Sequence, residues 1–73
     1  MDRIIPDAAE FGAILRQRRK ARGYTQSQIA ALCGTGVRFV SDLENGKPTA
    51  ELGKALAVAQ ALGIDIVARM RGE

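Results

Sequence analysis

The stretch that most limits what this chain can fold into is TQSQIAALCGTGVRFVSDLENGK, residues 25–47. It holds two short apolar runs at helical spacing, Ile29/Leu32/Cys33 and Phe39/Val40/Leu43, parted only by Gly34-Thr35-Gly36. Thr25 is a good N-cap, and Gln28 three residues on can return its hydrogen bond, which predicts a helix over about 26–33. Beyond the glycines, VRFVSDLEN suits a helix of two to three turns. With successive residues about 100° apart, Phe39, Val40 and Leu43 share one side, and Val37, Arg38, Ser41 and Asp42 the other. Asn45 and Gly46, which tolerate positive φ, end it.

Two glycines one residue apart also suggest a phosphate-cradling loop. A dinucleotide fingerprint needs a strand, three spaced glycines and a helix. Here a helix precedes the glycines, and position 39, where the third would stand, is Phe. A nucleoside-triphosphate loop needs Gly-Lys-Ser/Thr, which the chain lacks. Two short helices joined by a tight Gly-containing turn fit a helix-turn-helix instead.

The flanks complete a bundle. Asp7 after Pro6, with Glu10 three residues later, reads as a capping-box start; Phe11, Ile14 and Leu15 follow at helical spacing, and Gly23 ends the run. Pro48 and Thr49 open a fourth helix, with Leu52, Leu56, Ala59 and Leu62 as its stripe and Gly63 as its stop. Gly53 inside it costs about 1 kcal/mol relative to Ala. The tail then changes period: Ile64, Ile66, Ala68 and Met70 alternate with Asp65, Val67, Arg69 and Arg71, which is a strand pattern. A lone strand leaves its N–H and C=O groups unpaired, so pairing with its copy in a second subunit is expected; a frayed helical tail is the other reading. The expected fold class is all-α: a compact helix-turn-helix bundle of about four helices with a short C-terminal strand that pairs across a homodimer. Residues 7–63 form the bundle and residues 64–71 the dimerisation strand.

Composition removes most other classes. Seventy-three residues make one domain, and a chain this short buries only about 60% of the surface its unfolded form exposes, so a partner subunit is expected to help. A single cysteine excludes an internal disulfide; without histidine the usual zinc sites and an activated nucleophile are missing too. Cys33 reads as a small buried hydrophobe. No catalytic group, metal or cofactor is expected. No apolar run reaches the roughly 18 residues that span a bilayer, and MDRIIPDAAE lacks a secretory apolar core, so a cytoplasmic protein is the default.

Charge is uneven. Residues 16–47 carry Arg16, Arg18, Arg19, Lys20, Arg22, Arg38 and Lys47 against Asp42 and Glu44, a net of +5, while the rest of the chain is at −2. That is the footprint of a polyanion partner, although a solvated helix face has the same composition.

At this point the residues resemble a known family. RRKARGYTQSQIAALCGTGVRFVSDLENGK is similar to the Xre/Cro-type helix-turn-helix of phage repressors and bacterial regulators. It has TQ at a helix start, the Ile29-Ala30 pair, Gly34 in the turn and an ENGK ending. The continuation to residue 63 and the strand-like tail more narrowly resemble HipB-type antitoxins, which pair with a HipA-type kinase toxin and dimerise partly through C-terminal strands. The resemblance implies a dimeric repressor of double-stranded DNA bearing an inverted-repeat operator, with a stand-alone Xre-type regulator, or an interaction module that has lost DNA binding, as the alternative. Gln26 and Lys47 would hold phosphates, and Gly36, Val37, Arg38, Ser41 and Asp42 would face base edges and the adjacent backbone. Arg19 and Glu44 would form a structural ion pair, and Ile64, Ile66, Ala68 and Met70 the dimer strand. Three departures stand out. Gly36 replaces a capping Ser or Thr, Val37 stands where glutamine is frequent, and Thr35 fills a common valine position. Arg38 can bond guanine O6 and N7, and Val37 can meet a thymine methyl. Asp42 can accept from cytosine N4 or orient Arg38. The Arg16–Arg22 cluster would set affinity and register.

Overall fold

A computed structural model describes residues 2–72 as four helices: α1 (Ala8–Ala21), α2 (Gln26–Cys33), α3 (Val37–Glu44) and α4 (Leu52–Ala61). Local chemistry accounts for the starts. The Asp7 carboxylate accepts from the Glu10 N–H at 2.8 Å. The other half of that expected capping box is absent, because the Glu10 side chain pairs with Arg3 instead. At α2 the box is complete: the Gln28 N–H donates to Thr25 Oγ1 at 3.1 Å, and the Thr25 N–H donates to Gln28 Oε1 at 2.8 Å.

All four helices stop the same way. A left-handed glycine (Gly23, Gly34, Gly46, Gly63) follows each, and the next residue's N–H reaches back across the last turn, as Lys47 does to the Asp42 carbonyl at 3.0 Å. At Gly46 a side chain is also barred by space, since a Cβ there would lie 2.8 Å from the Ala9 Cα.

The core consists of Leu15, Ile29, Ala30, Val40, Leu43, Ala55, Val58, Ala59 and Leu62, with Phe11, Tyr24, Phe39 and Ile64 packed against it. Helix α3 packs on both α1 and α2, and α4 packs on α2. The α1–α3 crossing is tight. A Cβ on Gly12 would stand 2.7 Å from the Glu44 carbonyl oxygen and closer still to that of Leu43, so only glycine lets the helix backbone approach the end of α3. Cys33 is half-buried; its thiol points at the Ala57 carbonyl, and burial pushes its pKa up.

Two sequence expectations need correction. Helix α4 begins at Leu52; Pro48 and Thr49 lie in a turn closed by the Ala50 N–H on the Lys47 carbonyl at 3.4 Å. Pro48 takes the turn position where its fixed φ is favoured. Second, the inward stripe of α4 is Ala55, Val58, Ala59 and Leu62, while Leu52 is 69% exposed; on α2, Ala30 is buried and Leu32 is 64% exposed. The expected C-terminal strand is not confirmed in the single chain: residues 64–70 form neither strand nor helix, and no strand occurs among the described residues. Ile64 is half-buried, and Ile66, Ala68 and Met70 are exposed. A single chain offers this tail no ladder to join; its first N–H, that of Ile64, closes on the Ala59 carbonyl at 2.9 Å instead.

Candidate nucleic-acid interface

Helix α3 sorts its side chains as its sequence spacing dictates. Val40 and Leu43 are buried and Phe39 half-buried, while Val37 and Arg38 are exposed and Ser41 and Asp42 half-exposed on the opposite side. Gly36 caps the helix in extended conformation with no side-chain hydrogen bond, and nothing lies within 4 Å of where its Cβ would be. The first N–H groups of α3 are thus free of side-chain capping and carry the positive end of the helix dipole.

What fixes α3 lies behind it. Arg19, on α1, forms a two-pronged pair with Glu44: Nε to Oε2 at 2.6 Å and Nη2 to Oε1 at 3.0 Å. Both side chains are nearly sealed, and Arg19 Nη1 also donates to the Tyr24 carbonyl at 2.8 Å. Burial pushes the Glu44 carboxyl up, but hydrogen bonds from Arg19 and Gln26 and the charges of Arg19 and Arg16 outweigh it, holding the group below the usual carboxylate range. The Arg19 guanidinium is shifted further up, foremost by its hydrogen bond to Glu44. The expected ion pair is present in the structure.

The remaining expected site residues fall into place unevenly. Gln26 sits at the start of α2, but its amide Nε2 donates to Glu44 Oε1 at 3.0 Å, so it ties α2 to the ion pair between α1 and α3. That leaves its main-chain N–H, at the first position of α2, as the group available to an anion. Lys47 is half-exposed with its Nζ 3.8 Å from Asp42 Oδ2. Arg38 makes no ion pair or side-chain hydrogen bond among the described residues, so Lys47, rather than Arg38, is the cation beside Asp42.

The basic cluster of α1 divides. Arg18 Nε donates to the Leu62 carbonyl at 2.9 Å, and the Arg22 guanidinium lies over Gly63, so both cations meet the negative end of α4. Arg19 is committed to Glu44. Arg16 and Lys20 are exposed, with Arg16 close enough to act on Glu44. The sequence gives no sign of this division, because it depends on how α4 returns against α1. Sequence reasoning also missed Gly12, whose small size is the only signal of the close crossing.

Known proteins agree with this geometry. The helix-turn-helix family (HTH_3) matches residues 15–68. An uncharacterized HTH-type transcriptional regulator, y4mF, of Sinorhizobium fredii is 47% identical over 70 residues, covering 93% of this chain and 92% of that protein. Among solved structures, the fold matches a HipB–O4 20mer complex with a TM-score of 0.87 at 20% identity, covering 96% of this chain and 99% of the other. It matches a HipA–HipB–O2–O3 complex with a TM-score of 0.88, also at 20% identity and over the same shares. The fold is that of a helix-turn-helix regulator. The chain belongs to the Xre-type helix-turn-helix family of DNA-binding transcriptional regulators.

Proposed function

We propose that this protein is a sequence-specific repressor that binds an inverted-repeat operator as a homodimer and serves as the antitoxin of a HipA-type kinase. The observation that carries the reading is the outer side of α3: Val37, Arg38, Ser41 and Asp42 reach solvent together while Val40 and Leu43 are sealed beneath them. Laid in a major groove, Arg38 bonds guanine through O6 and N7, Val37 meets a thymine methyl, and Asp42, steered by Lys47, accepts from cytosine N4. The uncapped start at Gly36 and the first N–H of α2 at Gln26 meet phosphates, as does Lys47. A two-fold dimer places its two α3 helices about one DNA turn, roughly 34–36 Å, apart. The antitoxin role is supported by likeness to HipB along nearly its whole length, tail included, and by HipB's complex with HipA. The bundle and its tail act as the two units, 7–63 for DNA and 64–71 for dimerisation.

The test is a binding series against a duplex selected from a random library. Affinity falls steeply as salt rises, because phosphate contacts release counterions. Arg38→Ala loses about 1–3 kcal/mol of discrimination at one base pair, whereas Lys47→Ala weakens every duplex alike. Equal losses on all sequences for Arg38→Ala would remove it as the reader. Co-purification with a kinase encoded beside this chain tests the antitoxin role, and its failure leaves a stand-alone regulator.

A further inference from the structure

Beside α1 and α4 lies a groove of about 1340 Å³, lined in part by Phe11, Ile14, Leu52, Leu56, Ile66 and Met70. Leu52, Ile66, Val67 and Met70 are largely exposed along it, at 49–73%. The tail that borders this groove has main-chain groups without a ladder, and it carries one acidic residue, Asp65, with Arg69 four and Arg71 six positions further on. Among the described residues Arg69 pairs with Asp2, at 3.1 Å and with both side chains mostly in water.

We propose that the occupant of this face is a second copy of the chain, its tail running antiparallel to the first with Val67 on the two-fold axis, so that Asp65 of each subunit opposes Arg69 of the other. This rests on the homodimer reading above and specifies its register. In an isologous antiparallel pair, each residue and its opposite number are equidistant from the axis. Centring on Val67 sets Ile64 opposite Met70 and Ile66 opposite Ala68 on one face, with Asp65 opposite Arg69 twice over on the other. Centring on Ile66 instead sets Asp65 against Val67 and leaves Arg69 opposite Gly63. Centring on Ala68 gives Asp65 to Arg71 but sets Arg69 against Val67. Only the Val67 register matches apolar to apolar throughout and sets Asp65 opposite an arginine, with Arg71 falling beyond the apolar ladder opposite Gly63. Because a one-residue slip would turn every side chain to the wrong face, such matching fixes alignment. The two ion pairs then determine which tails accept each other, so that this regulator excludes related chains whose tails carry other charges.

Charge reversal tests the register. Asp65 and Arg69 are exposed, so Asp65→Arg and Arg69→Asp leave the fold of each subunit intact, which circular dichroism checks. Sedimentation measures self-association of the wild type, each variant and their equimolar mixture. Each reversal alone sets like charges opposite each other twice, raising its dimer dissociation constant roughly tenfold or more. The mixture restores both pairs, so the two variants form a heterodimer with an affinity close to that of the wild type. Variants that self-associate as well as the wild type, or a mixture no tighter than its components, would overturn the register. A wild type that stays monomeric at every concentration would instead overturn the homodimer reading beneath it.

Discussion

Removing the Glu44 carboxylate should be the most damaging polar substitution in the molecule. Glu44→Ala leaves the Arg19 guanidinium, whose side chain is 10% exposed, with the Tyr24 carbonyl as its remaining partner. Breaking a buried pair by deleting one member costs about 3–5 kcal/mol, because the surviving charge is held out of water uncompensated. The surviving Tyr24 bond and a short path to solvent place the cost near the lower end, at about 3 kcal/mol. A domain of this size has roughly 4–11 kcal/mol in total at typical stabilities per residue, so the loss takes a large share of it. Urea unfolding followed by far-UV circular dichroism, at one fixed protein concentration so that any self-association is held constant, reads the change as a shift in midpoint. Replacing both partners with apolar residues of similar volume, Arg19→Met with Glu44→Leu, should recover most of the loss, to within about 1 kcal/mol of wild type. If Glu44→Ala costs less than about 1 kcal/mol, or the double replacement costs as much as the single one, the buried-charge reasoning is refuted.

Two further outcomes follow from the same region. Gly12→Ala drives a methyl group against the Leu43 and Glu44 carbonyls and should destabilise by about 1–3 kcal/mol, seen as a fall in Tm; an unchanged Tm would mean α1 can slide. Glu44 holds a folded-state pKa below its unfolded value, so its contribution is fully present above the unfolded carboxylate range near pH 4.3 and fades as pH falls through the folded value. The stability gap between wild type and Glu44→Gln should therefore narrow on acidification below about pH 4.3, and a gap constant down to pH 3 would contradict the depressed pKa.

Much of this architecture is legible in the residues because its instructions are local. A cap residue acts on an N–H three positions away, and a terminal glycine acts on the turn before it, so Thr25, Asp7 and the four stops could be placed without knowing the fold. The α3 faces were legible for a similar reason, since one short helix with a strong apolar-polar division has one way to lie. The α4 stripe was not. Leu52 and Leu56 outrank Ala55 and Val58 by size, yet the closely packed α2–α4 contact accepts the smaller side chains, and the leucines are left along the groove. The intrachain partners of Gln26, Arg18 and Arg22 were not legible, because Glu44, Leu62 and Gly63 lie far away in sequence and meet them only after the chain has closed. The tail shows the same limit from the other side: its alternation is local and visible, but the ladder it implies requires atoms the single chain does not possess.

The Arg19–Glu44–Gln26 cluster has a consequence for how such a regulator can change its target. Three helices are clamped together by groups on the inner side of α3, and the core residues Val40 and Leu43 lie on that side as well. The outer positions 37, 38, 41 and 42 contribute little to holding the bundle together. They can be rewritten as a set, by drift after duplication or by design, with the scaffold indifferent to the outcome. On the proposed reading of α3, specificity for a new operator is then limited by what DNA will accept, and hardly at all by what the fold will tolerate.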